Sequence, residues 1–120
     1  MEKRDRAYLI DMLIAAEDAL RFVKGETAGA FLQNDLLQSA IARQLSVIGE
    51  AARCISDGFK AGNPTIQWRQ ISALRNILIH AYNKINYKKI WEFLVIDVPK
   101  LIQDLRAIPG LNPDEAIDPV

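Results

Sequence analysis

Ile71-Ser72-Ala73-Leu74-Arg75-Asn76-Ile77-Leu78-Ile79-His80-Ala81-Tyr82 is the stretch from which the rest of the chain can be read. Its apolar residues recur at helical spacing and do not alternate as those of a half-buried strand would. On a wheel turned by ~100° per residue, with Arg75 at zero, Ile71, Leu78, Leu74, Ala81 and Ile77 fall between roughly −40° and −160°. That arc is the expected core face. Arg75, Ser72, Asn76, Arg69 and His80 fall between zero and about +140°, and Tyr82 returns to within ~20° of Arg75. Arg75, Asn76 and His80 are therefore expected outside the core, with Tyr82 at its border. Trp68 and Ile79 interrupt the polar face, at about +20° and +40°. Either they are packed by the adjoining loop or the fourth helix, or they are contacts for a second subunit.

The same periodicity recurs on both sides of this helix. A first helix is expected over residues 4–24, with Leu9, Leu13, Ala16, Leu20 and Val23 as its stripe and Gly25 as its stop. Residues 27–32 allow an extra short helical turn. Asn34 or Asp35 can cap a second long helix over 36–59, whose stripe is Leu37, Ile41, Leu45 or Gln44, Ile48, Ala52, Ile55 and Phe59. Gly58, Gly62, Asn63 and Pro64 read as a loop, and the third helix as residues 66–80 or 66–82. Asn86 can cap a fourth helix over 87–107, striped by Tyr87, Trp91, Leu94, Val98, Leu101 and Leu105. Pro99 should kink it, and Pro109-Gly110 should end it. Four amphipathic helices with short links predict an all-α fold, an antiparallel four-helix bundle. Residues 1–110 form one domain in this reading, and 111–120 a flexible acidic tail carrying Asp114, Glu115 and Asp118.

Composition narrows the function. Half of the 120 residues are hydrophobic, enough for a core without staples. The 15 basic and 15 acidic residues cancel, so a nucleic-acid role would have to rest on a local patch. Cys54 is the only cysteine, which excludes an internal disulfide and any multi-cysteine zinc site. The charged N-terminus has no small-residue cleavage site after it, and no apolar run reaches ~18 residues. The expectation is a cytoplasmic protein without a membrane span.

The local patch exists. From Gly58 to Trp91 there is no acidic residue, while Lys60, Arg69, Arg75, Lys84, Lys88 and Lys89 fall in the same span. The only histidine, His80, lies inside it. Such a block suits a phosphate-bearing partner, although a solvated basic helix and loop would read the same way.

Arg75, His80 and Tyr82 form an Arg-x4-His-x-Tyr motif, with Asn76 after the arginine. Together with Val47-Ile48-Gly49-Glu50-Ala51-Ala52, the Pro64-x-x-x-Trp68 helix entry and the Asp97-Val98-Pro99 step, it resembles the HEPN superfamily. Within it the chain is most similar to the HepT-like toxins of toxin–antitoxin modules that pair a HEPN protein with a minimal nucleotidyltransferase. The resemblance spans roughly residues 4–107. Ile79 departs from it, since a smaller residue is usual before the histidine. The resemblance implies an endoribonuclease that needs no metal or cofactor and acts as a homodimer with motif helices of both subunits in one cleft. It further implies a nucleotidyltransferase antitoxin that silences the toxin by transferring AMP to Tyr82.

The chemistry fits these side chains. An imidazole titrating near ~6.5 can act as general base or acid. A guanidinium can hold a phosphate with its planar fork of donors. Asn76 would orient His80 or bind a phosphate oxygen. Each residue also has a plainer role. His80 would be a helix-end surface residue, Arg75 the ion-pair partner of Glu50, and Tyr82 a core-edge tyrosine. Glu50 itself is either solvated or paired with Arg53, and otherwise supports Arg75 from behind. The alternative function is a non-catalytic helical dimer that serves as the binding partner of a nucleotidyltransferase.

Overall fold

The computed structural model describes residues 1–80 and 85–111, and of Ile79 and His80 the backbone alone. Ala81, Tyr82, Lys84 and residues 112–120, all named above, lie outside the described residues. The fold is all-α. Helix α1 (Lys3–Phe22) packs along α3 (Asp35–Cys54), and α3 packs in turn along α5 (Trp68–His80). On its other side α1 meets α7 (Val98–Arg106), the last part of a fourth helical column that begins with α6 (Tyr87–Glu92). Two short helices, α2 (Ala28–Leu32) and α4 (Asp57–Gly62), fill the links. The result is an antiparallel bundle whose long elements pack mainly on their neighbours in sequence. Among the described residues, no helix is long and apolar enough to cross a membrane.

The apolar stripes form the core. Leu9, Leu13 and Ala16 of α1 and Ile41, Leu45, Ile48 and Ala52 of α3 are fully shielded from solvent. Phe31 of α2 is also fully buried, with its ring tilted against Trp91 at 5.2 Å and edge-on to Tyr87. Gly25 and Gly110 both take φ of +80°, which glycine adopts without steric cost, and both end a helix as expected. Leu111 is fully buried, and the Arg6 guanidinium donates to the Gly110 carbonyl at 3.1 Å.

The second helix does not run unbroken from 36 to 59. It stops at Cys54, Ile55 turns extended (φ −69°, ψ 141°), and Ser56 caps α4 where a loop was expected. The cause lies 51 residues away in sequence. Asp5, buried at 3% exposure in the first turn of α1, accepts hydrogen bonds from the Ser56 backbone N–H at 2.9 Å and from its hydroxyl at 2.6 Å. A carboxylate so deep in a fold requires such partners. Ser56 Oγ also accepts from the Phe59 N–H at 3.3 Å, so one hydroxyl joins α1 to the cap of α4. Replacing Ser56 with Ala removes the cap and one bond to a buried charge, and is expected to cost about 2–3 kcal/mol. Urea denaturation measures this directly. A loss under ~0.5 kcal/mol, the level of an ordinary surface change, would show that the Asp5–Ser56 staple holds nothing together.

Three further expectations are corrected. The third helix begins at Trp68, because the chain after Pro64 first turns through Ile66 and Gln67. Ile77, placed on the core face by the wheel, is 50% exposed. It lies at the edge of that arc, and α3 covers only the centre, where Ile71 and Leu74 are buried. Pro99 acts differently from a simple kink. It offers no N–H to the turn before it, and residues Phe93–Asp97 widen into a π-helical turn in which the Val98 N–H reaches the Phe93 carbonyl. The extra residue is absorbed on the outside, where Val95, Ile96 and Asp97 are exposed, so that Leu94 and Val98 both stay in the core.

Candidate active site

Gly49 is where the site begins. A Cβ built there would lie 2.9 Å from the Arg75 backbone nitrogen and 3.0 Å from the Ile71 carbonyl oxygen. The missing side chain therefore lets the α3 and α5 backbones touch. Glycine in mid-helix costs about 1 kcal/mol relative to alanine, so its presence requires a reason such as this one. The close approach brings Glu50, the next residue of α3, against Arg75 of α5.

Glu50 and the Arg75 guanidinium form an ion pair through Oε2 and Nε. Glu50 Oε2 is itself shielded from solvent, and among the described residues only this guanidinium serves it. The other carboxylate oxygen accepts from Arg53 at 3.1 Å, so both partners foreseen for Glu50 bind it at once. The pair is partly solvated, with side-chain exposures of 31% for Arg75 and 45% for Glu50, and its contribution to stability is therefore small. Its consequence is orientation. The Nε edge of Arg75 faces Glu50 as an ion pair, although Oε2 accepts no hydrogen bond among the described residues. Nη1 lies 3.5 Å from the exposed Asn76 amide oxygen, and the remaining donors are open to a ligand.

Those donors open onto a groove of about 480 Å³. Tyr8 and Asp11 of α1, Arg43, Val47 and Glu50 of α3, and Arg75 of α5 line it. Tyr8, Asp11 and Arg43 went unnoticed in the sequence, where nothing links residues on separate helices. Gly49 carried a readable signal, a lone glycine inside a strong helical pattern.

His80 is the last residue of α5. Its backbone lies five positions after Arg75, about 7.5 Å further along the axis and ~140° around it. The side chains of Ile79 and His80, like the whole of Tyr82, lie outside what the structure describes. Trp68 takes the packing role. It is 9% exposed, its indole N–H donates to the Asn63 carbonyl at 3.0 Å, and its ring meets Phe59 edge-on. Of the two roles foreseen for this ring, packing by the adjoining loop is the one observed, and it pins the loop that starts α5.

Comparison with known proteins identifies a family. Residues 12–108 match the family described as Ribonuclease HepT-like. A Methanocaldococcus jannaschii protein with the provisional name RNase MJ1380 is 38% identical over 109 residues, covering 90% of this chain and 100% of that protein. A second from the same organism, provisionally RNase MJ0127, is 37% identical, with 90% of each chain covered. A Thermococcus cleftensis protein, provisionally ribonuclease HepT, is 34% identical over 84% of this chain and 92% of its own length. No solved structure gives a significant match.

Proposed function

Because the chain belongs to the ribonuclease HepT-like family, we propose that it is an endoribonuclease in which Arg75 and His80 act on the phosphodiester bonds of RNA. The observation that carries this reading is the Arg75 guanidinium, fixed on one edge by Glu50 and open on the other to a groove. RNA brings its own nucleophile. His80 takes the proton of a 2′-hydroxyl, and the freed oxygen attacks phosphorus. The bond to the 5′-oxygen breaks, and that oxygen leaves with a proton from a second donor. The products are a 2′,3′-cyclic phosphate and a 5′-hydroxyl end. Arg75 neutralises charge on the phosphoryl oxygens as it builds in the transition state.

One histidine per chain cannot readily be base and acid in the same step. A two-fold dimer removes that problem by supplying a second histidine to the same cleft. The active species in this reading is a homodimer. The decisive experiment treats a defined RNA with purified chain in EDTA and sequences the ends. Cleavage is expected, together with growth arrest in cells that lack the neighbouring gene. Intact RNA overturns the proposal.

Regulation follows from the same site. A nucleotidyltransferase partner would join the Tyr82 hydroxyl to the α-phosphorus of ATP and release pyrophosphate. Each AMP adds bulk and negative charge to the basic block of the sequence, which opposes RNA by sterics and repulsion. Co-expression with such a partner is expected to raise the intact mass by whole AMP units and to suppress cleavage. The Tyr82→Phe variant should show neither effect. A mass gain that survives in that variant moves the modification elsewhere.

A further inference from the structure

The groove beside Arg75 is larger than one phosphate needs. Its volume of about 480 Å³ falls within the range of sites that enclose whole small molecules. Two of the three helices that wall it contribute residues at regular spacing. Tyr8 and Asp11 are three apart on α1, and Arg43, Val47 and Glu50 follow at four and three on α3, so each set lies on one helix face. Val47 and Ala51 give the groove an apolar floor. The Tyr8 ring is half-buried against the core, with the Arg4 guanidinium over it 5.8 Å from its centre, and it lines the groove.

The charges are distributed unevenly. Glu50 is occupied by Arg53 and Arg75. Asp11 and Arg43 both line the groove and are exposed, yet among the described residues neither has an ion-pair or hydrogen-bond partner. They form no ion pair with each other. A ligand that completes this site has a flat apolar body, an anionic group for Arg43, and N–H donors for the Asp11 carboxylate, which can only accept. A nucleotide has all three. Among the four RNA bases, guanine alone presents two neighbouring N–H donors on its pairing edge, the number a carboxylate's two oxygens can accept.

We propose that this groove is a guanine subsite for the RNA strand, adjacent to the phosphate held by Arg75. Asp11 reads the base edge, Tyr8 stacks on the base, and Arg43 holds the neighbouring phosphate. Unstacked bases read on their pairing edges between aromatic and charged side chains are the usual means of recognising single-stranded RNA. The location next to the cut rests on the ribonuclease reading, whereas nucleotide binding does not.

The test therefore has two arms, both on the full chain. In the first, 5′-GMP and 5′-UMP are titrated into wild type and into the Asp11→Asn, Tyr8→Ala and Arg43→Gln variants. Wild type is expected to prefer GMP by about tenfold, the discrimination of one good bidentate pair. Asp11→Asn should erase that preference. Tyr8→Ala should weaken both nucleotides about tenfold, and Arg43→Gln should reduce the salt dependence of binding by about one charge. In the second arm, RNA ends are sequenced, and the guanine bias beside wild-type cuts should disappear with Asp11→Asn. Equal affinity for GMP and UMP, or none for either, overturns the subsite. So does a change in oligomeric state in Tyr8→Ala or Arg43→Gln without a change in nucleotide affinity, since the groove is then a seat for a second copy. GMP preference in a chain that leaves RNA intact defeats the ribonuclease reading and keeps the subsite. Cleavage without guanine bias does the reverse.

Discussion

Arg75→Ala and His80→Ala are each expected to lower RNA cleavage by about 10²–10⁴-fold, the usual effect of removing a transition-state charge stabiliser or a general acid–base group. The fold should hardly notice. Arg75 makes a partly exposed ion pair, and exposed pairs contribute roughly 0–1 kcal/mol. A large loss of activity beside a small loss of stability separates a catalytic arginine from a structural one. Arg75→Lys sharpens the distinction. It keeps the charge but not the planar fork, so it cannot hold Glu50 on one edge and a phosphate on the other. It should recover only part of the lost rate. Glu50→Gln touches no substrate atom in this scheme, because its carboxylate acts through Arg75. Its effect should be milder and should appear in kcat more than in KM, as expected of a positioning residue. Single-turnover cleavage in EDTA, with circular dichroism on each variant, reads all four. Folded His80→Ala or Arg75→Ala protein that cuts at the wild-type rate would remove that residue from the mechanism.

Much of this architecture was legible because burial leaves a period. The stripes of α1 and α3 give Leu9, Leu13, Ala16, Ile41, Leu45, Ile48 and Ala52 of the core but omit Met12, Ala15, Ala19 and Ala51, and Asn34 and Asn86 cap the helices they were expected to cap, accepting from Leu37 and Lys89. What was missed has long-range causes. Ile55 lies on the core stripe and is buried whether or not the helix continues, so periodicity does not register the break after Cys54. Ser56 and Asp57 were a local hint, a capping residue followed by an acid, but the deciding group is Asp5 at the far end of another helix. The wheel gave α5 a wide apolar arc, while the width that is actually covered depends on its neighbours. Arg75 and Glu50 could be foreseen as a pair because each had only a few plausible partners. The groove could not, since its walls belong to three helices and its emptiness is a property of their packing.

Gly49→Val is expected to damage both stability and activity, and the relation between the two losses tests how the site is built. Overpacking a close contact typically costs about 1–3 kcal/mol, and here the obstructing atoms are the Arg75 nitrogen and the Ile71 oxygen. These are backbone atoms and cannot turn aside as the end of a flexible side chain can. Helix α5 must therefore move away from α3 as a unit. Alanine at the same position would regain roughly 1 kcal/mol of helix propensity, which offsets part of the clash, so Gly49→Ala should be the milder variant. Gly58→Ala is the control. A Cβ at that position would meet nothing within 4 Å, so the substitution should leave stability level or raise it. In Gly49→Val, activity should fall further than unfolding explains. A displacement of about 1 Å at a catalytic group can cost ~10²-fold, and separating α5 from α3 moves Arg75 away from Glu50 and from the phosphate together. Urea midpoints and cleavage rates at a temperature where every variant is folded supply the comparison. If folded Gly49→Val protein retained wild-type activity, the α3–α5 contact would be packing alone, and Glu50 would not be what aims Arg75.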